Sequence, residues 1–220
     1  MTFSLAARCP RTGQFAVAVT SSSPAVAARC AFARAGVGAV TTQNITDPRL
    51  GPALLDALAE GLGAEAALAQ VLAKAASPAY RQLTVLDAAG RTAAWSGDKT
   101  LGVNAQALGQ DAVSAGNLLA NANVPEAVRT AFIAADTSRE LGERVIAAMQ
   151  AGLAAGGEAG PLYSAGLIVV DREAWPMADL RVDWHDEPLA ELARLWKVWA
   201  PQMQNYVTRA LNPASSRPSF

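Results

Sequence analysis

Runs of strand-forming residues give way along this chain to pairs of stripes with helical period. That rhythm limits the fold more than any single residue does. Residues 3–8 and 15–21 read as strands joined by the turn Pro10-Arg11-Thr12-Gly13, an opening hairpin. Residues 36–43 read as a third strand, and a loop over 44–52 follows. Leu54, Leu55, Leu58 and Leu62 then stripe one helix, and Leu68, Val71 and Leu72 a second, with Gly61 and Gly63 breaking the chain between them. Strands return at 82–87 and 92–96, around the turn Ala88-Ala89-Gly90-Arg91. Residues 99–119 carry neither period and are expected to be irregular. Asn123 is expected to cap a helix running to about Ala135, and Ser138 a second helix striped by Leu141, Val145, Met149 and Leu153 and ended by Gly156-Gly157. Residues 167–171 and 179–184 read as two more strands. Glu187-Pro188 opens a last helix with Leu189, Leu192, Trp196 and Trp199, which Pro201 kinks or restarts.

The order is therefore strands, a helix pair, strands, a helix pair, strands, helix. It suits antiparallel sheets with helices outside rather than a doubly wound parallel sheet. Two sheets face to face, covered by helices on both outer faces, would bury this many apolar strand positions. With 220 residues, 51% of them hydrophobic and 17% charged, the chain is expected to form a single domain over 1–212, followed by a loose tail over 213–220. A net charge of −1 gives no pull towards nucleic acid or an anionic membrane. No apolar run approaches the roughly 18 residues of a membrane span, and the first residues lack the basic and apolar regions of a secretion signal. A cytoplasmic location is expected. Cys9 and Cys30 lie in no metal or redox spacing and are expected to be buried free thiols. His185 is the single histidine, so metal chemistry is nearly excluded. Gly36-Val37-Gly38 is too short for a dinucleotide fingerprint and there is no phosphate loop, so no cofactor is expected.

The opening Met1-Thr2-Phe3-Ser4 runs straight into a strand. Thr2 is small, which makes Met1 a target for removal, and a hydroxyl and a free α-amine would then share one residue. A hydroxyl alone is a weak nucleophile at neutral pH, and an adjacent amine of pKa about 7.7–8.0 can take its proton. The reaction class this suggests is hydrolysis of an amide. Equally, Thr2 is a good strand residue at the start of a strand.

Other residues offer chemistry beside it. Ser4 shares a strand face with Thr2 and would bind substrate or pack. Ser21, Ser22 and Ser23 end the second strand next to the start of the first; their hydroxyls suit orienting an amine or substrate, or ordinary loop formation. Gln43 and Asn44 end a strand, and Asn117 follows a glycine; amides there suit substrate positioning or an oxyanion, or turn formation. Asp183 and His185 share a face with Arg181, an arrangement for acid–base work or for capping the next helix.

Several phrases resemble a bacterial family known as domain of unknown function 1028. They are Phe3-Ser4-Leu5-Ala6-Ala7-Arg8, the run from Ala33 through Val40, Thr42-Gln43, Asp47-Pro48-Arg49-Leu50-Gly51-Pro52, Arg81-Gln82-Leu83, Gly116-Asn117-Leu118-Leu119 and the run from Asp179 through His185, in family order over roughly residues 2–197. The resemblance implies a fold like that of the N-terminal-nucleophile (Ntn) hydrolases, an α+β four-layer α-β-β-α sandwich of two antiparallel sheets. Some members of the family are fused to a peptidoglycan-binding domain. This chain departs from the family at Gly160-Pro161-Leu162-Tyr163-Ser164, where relatives often carry Gly-Arg-Gln-Ser, and at Ser22, often His or Arg in relatives.

Three functions follow as expectations. The first is hydrolysis of a small amide-like or related C–N bond, with Thr2 as nucleophile, its amine as base, Ser21 in support and the oxyanion held near Gln43 or Asn117. The second is a non-catalytic binding or assembly protein on the same fold. The third is a hydrolase whose water is activated by Asp183 and His185. The expected partners are a small-molecule substrate and a second copy of the chain. Trp175, Trp184, Trp196, Trp199 and Tyr206 crowd the C-terminal segment, more apolar surface than one helix needs for its own core.

Overall fold

The computed structural model describes residues 1–215 and contains two antiparallel sheets in a mixed α+β arrangement. The larger sheet has strand order β10-β9-β2-β1-β8-β7, from Ala178–Val182 (β10), Ser164–Val170 (β9), Phe15–Ser21 (β2), Thr2–Arg8 (β1), Ala112–Asn117 (β8) and Ala105–Gly109 (β7). The smaller has order β3-β4-β5-β6, from Ala31–Arg34 (β3), Gly38–Asn44 (β4), Arg81–Asp87 (β5) and Thr92–Ser96 (β6). A four-residue helix, Ala27–Cys30 (α1), precedes β3.

Three apolar clusters hold these parts together. Leu54, Leu55 and Leu58 of α2 (Leu50–Ala59) and Leu68 and Val71 of α3 (Ala64–Lys74) pack on Val40, Leu83 and Val85 of the smaller sheet. Val124, Val128 and Phe132 of α4 (Val124–Ala134), Val145 and Met149 of α5 (Leu141–Ala154), and Leu189, Leu192 and Trp196 of α6 (Pro188–Leu211) pack on Phe3, Leu5, Ala16, Ala18 and Leu167 of the larger. Ala6, Phe15, Val17 and Val19 meet Ala39 and Leu86 where one sheet faces the other. The alternation of side chains along β1 and β2 is what lets each strand serve two clusters at once. Asp87, at the end of β5, ties the smaller sheet to its helices: its carboxylate accepts the N–H of Ala64 at the start of α3 (3.1 Å) and pairs with Arg91 (2.8 Å).

Several local expectations need correction. The stretch expected to be irregular contains the hairpin β7–β8; its small residues Ala105, Ala107, Gly109, Ala112 and Gly116 carry little strand propensity, and cross-strand pairing decides the matter. The third strand starts at Gly38, with β3 ahead of it and Gly36 in the turn at φ +71°. Asn123 makes no side-chain cap; Asn121 instead accepts the Asn123 N–H (2.9 Å). Ser138 precedes the helix, which begins at Leu141, and donates its N–H to Asp136 (2.9 Å). The last helix runs unbroken through Pro201 for 24 residues. Pro213–Ser215 form a 3-10 turn, and the remainder of the expected loose tail lies outside the described residues. Cys9 and Cys30 are buried and unpaired. Among the described residues no helix is long and apolar enough to cross a membrane.

Phe3 is fully buried on the central strand, next to the hydroxyl of Thr2 in sequence but on the opposite face. Phe3→Ala should lower unfolding free energy by about 3–5 kcal/mol in urea titration, because a large cavity opens under α4 and α5.

Candidate functional site

The same alternation that builds the apolar clusters gathers polar groups at one end of the space between the sheets. Ala6, Val17, Ala39, Leu86 and Val113 line one end of that space. Two or four residues further along the same strand faces stand Thr2, Ser4, Ser21, Asn117, Thr41, Gln43, Gln82 and Thr84, all buried. Isolated polar side chains there would each carry a desolvation cost, so they are joined to one another. The hydroxyls of Thr41 and Thr84 lie 2.6 Å apart. Gln82 is the hub. Its Nε2 donates to Ser96 Oγ (2.9 Å) and to the carbonyl of Gly116 (2.9 Å), while its Oε1 accepts from Gln43 Nε2 (2.7 Å) and Asn117 Nδ2 (3.0 Å). Gln43 Nε2 also donates to the carbonyl of Ala115 (3.2 Å), and so does Ser4 Oγ (3.5 Å). Gln43 Oε1 has no partner among the described residues.

Thr2 stands at the edge of this network. It pairs with Asn117 across the β1–β8 register, and its hydroxyl lies 3.3 Å from that of Ser21. Both hydroxyls donate to one amide oxygen, the carbonyl of Met1. Ser21 Oγ in turn accepts the N–H of Ser23 (3.0 Å). Five of the residues singled out in the sequence, Thr2, Ser4, Ser21, Gln43 and Asn117, are thus brought together.

The others stand apart from that network. Asn44, at φ +74°, clamps loops, with Nδ2 donating to Tyr80 O (2.7 Å) and Oδ1 accepting from Leu101 N (3.2 Å). Asp183 is exposed and paired with Arg181 (3.0 Å). His185 is exposed, and its Nδ1 accepts the N–H of Glu187 (3.0 Å), the residue just ahead of α6.

Two residues were missed. Gln82 was legible in part, since it shares a strand face with Thr84 and Leu86. Glu158 gave no sign in the sequence. It follows the Gly156-Gly157 that ends α5, and the bridge between Leu119 and Glu158 folds its loop back beside the end of β8. Its side chain is buried, with Oε2 accepting the N–H of Ser22 (3.3 Å) and Oε1 without a partner among the described residues. Burial raises its pKa from 4.5 to about 7, against the pull of the nearby Met1 α-ammonium and of hydrogen bonds from Ser22. Ser22, expected to touch substrate, therefore holds this carboxyl. The surface clefts between α2 and α3 and between α5 and α6 are lined by none of the candidate catalytic or substrate-binding residues.

Residues 2–192 match the model of a family of unknown function, DUF1028, and the chain belongs to that family. The crystal structure of protein SPO2555 from Silicibacter pomeroyi, of the same family, superposes with a TM-score of 0.84 at 27% identity, over 93% of this chain and 94% of that one. Anbu, an ancestral β-subunit from Yersinia bercovieri, aligns over 99% of both chains at 10% identity with a TM-score of 0.37, too loose an overlap to define a shared fold. Among curated proteins no match is found.

A carboxyl whose folded pKa is raised keeps an extra proton in the folded state between about 4.5 and about 7. Its contribution to stability is full below that window, declines across it and is lost above about 7. Glu158→Gln should therefore gain about 1–3 kcal/mol on the wild type between mildly acidic and mildly alkaline buffer, read by urea unfolding at both ends.

Proposed function

We propose that the protein is a hydrolase of a small amide-like or related C–N bond, with Thr2 as an N-terminal nucleophile once Met1 is removed. On this reading the two sheets and their helices are the four-layer α-β-β-α sandwich of the Ntn hydrolases. One observation carries the reading: the hydroxyls of Thr2 and Ser21 converge on a single amide oxygen at the start of the central strand, backed by a buried amide network.

In the first step the Thr2 oxygen bonds to the substrate's carbonyl carbon and the α-amine takes the hydroxyl proton. The Ser21 hydroxyl donates to the oxyanion, in the way it now meets the Met1 carbonyl. The C–N bond breaks, the leaving amine takes the proton from the α-ammonium, and an ester remains on Thr2. Water, deprotonated by the same amine, then hydrolyses the ester. Gln43 and Asn117 act through Gln82, which engages an amide N–H of each, so their part is to hold β8 against the smaller sheet. The reading with Asp183 and His185 as acid and base is less favoured, because Arg181 and the start of α6 already engage them.

We further propose a cytoplasmic homodimer, most simply of C2 symmetry. Trp196 is in the core, and Trp199 stacks on Tyr206 (5.0 Å) and donates to Met177 O (3.0 Å). Trp184, Trp175, Val198 and Leu211 remain exposed. Light scattering should give about twice the 22.7 kDa of one chain at micromolar concentration.

Intact-mass measurement of the native protein should show Met1 gone. Thr2→Ala should abolish turnover and leave the unfolding midpoint nearly unchanged, Thr2→Ser should keep part of the rate, and a residue left ahead of Thr2 should be as damaging as alanine. The rate should fall as pH drops through about 7.7–8.0 or below, where the amine is protonated. Full activity with Thr2 blocked as an amide would end this reading, and a pure protein inert towards amides would favour the binding role.

A further inference from the structure

Met1 fills the ground directly ahead of Thr2, and its three parts meet three different groups. Its carbonyl takes the hydroxyls of Thr2 and Ser21. Its side chain lies over Gly160, where an added β-carbon would come 3.0 Å from the methionine methyl carbon. Its α-ammonium is close enough to Glu158 for its charge to be felt there. Glu158 is 5% exposed, and its Oε1 has no partner among the described residues. A carboxyl oxygen so buried and unpartnered is a costly thing to keep unless a donor arrives from outside the fold. Removal of Met1 moves the terminal amine back to Thr2 and empties a space that had held an amino-acid residue by its carbonyl and its side chain.

We propose that this space is the acyl subsite of the enzyme, and that Glu158 selects amides whose acyl part is an α-amino acid with a free ammonium. The proposal rests on Thr2 as nucleophile. In the ester on Thr2 the acyl carbon is bonded to Oγ, and in the chain with Met1 the corresponding carbon is bonded to the nitrogen of the same residue. The two placements differ by a short swing, so an aminoacyl group on Thr2 carries its ammonium towards Glu158 and its side chain over Gly160. An N-acetylated substrate offers no positive charge and adds bulk against a buried carboxylate. Glu158 is the one charged side chain of the segment from Gly156 to Ser164.

The test uses protein whose Met1 is shown by mass to be absent. In the Thr2→Ala background, calorimetry with L-methioninamide and with N-acetyl-L-methioninamide should show the free amine bound about tenfold tighter or better. Adding Glu158→Gln should erase that preference. Gly160→Val should weaken L-methioninamide, because in the space left by Met1 nothing else among the described residues lies within 4 Å of a β-carbon at 160, so the variant keeps its fold and fills the subsite. Equal binding of the two amides, no binding of either, or a preference that survives Glu158→Gln in folded protein overturns the assignment. So does a Glu158→Gln variant that moves the pH dependence of turnover and leaves selectivity alone, since that would make Glu158 the partner of the Thr2 amine. Turnover of L-methionine p-nitroanilide by the free-Thr2 protein separates the two levels: selective binding without Thr2-dependent turnover upholds the subsite and removes the nucleophile.

Discussion

The amide of Gln82 holds the two sheets together at the end where their facing sides are polar. It sits on the smaller sheet and takes or gives four hydrogen bonds, two of them to Gly116 and Asn117 on the larger. Away from water such bonds are strengthened, and the loss of any one partner leaves a buried group unpaired. Apolar contact between sheets is tolerant of sliding. A planar amide with all of its donors and acceptors engaged is not, so the register between β5 and β8 is set at the end of the sheets where Thr2 and Asn117 pair.

Strand β1 passes that precision to the site. It is paired on both sides, with β2 and β8, and its first residue is already in the ladder. Chain ends ordinarily fray. Here Phe3 and Leu5 anchor the outer face of the strand among the helices, and a slip of one residue would drive them into the polar band and Thr2 and Ser4 into the helical core.

Runs of strand formers between turn residues were enough to recover β1, β2, β5, β6 and most of β4, and helical stripes recovered α2 to α6, because each of those helices keeps a polar face. β7 and β8 escaped it because alanine and glycine carry no hydropathy contrast to alternate. Part of the site was legible for the same reason: Thr2, Ser4 and Ser21 lie on strands whose faces could be assigned. Asn117 was noticed without its strand, and so without its place opposite Thr2. Glu158 was beyond reach, since its burial depends on a loop returning to the end of β8, a contact between residues far apart in sequence. His185 is the sole imidazole, yet chemical rarity says nothing about whether a side chain faces the interior, and this one lies at the surface ahead of a helix.

The division of labour along β1 separates what the molecule is from what it does. The residues that maintain the scaffold are the large apolar ones on one face, and those with chemical potential on the other are small hydroxyls that contribute little volume. A lineage could therefore exchange Thr2 or Ser21 for an inert residue of similar size and pass on an unchanged architecture. Shape alone will then fail to sort active members of such a family from silent ones, and the sorting must be done one atom at a time at the first residue of the central strand.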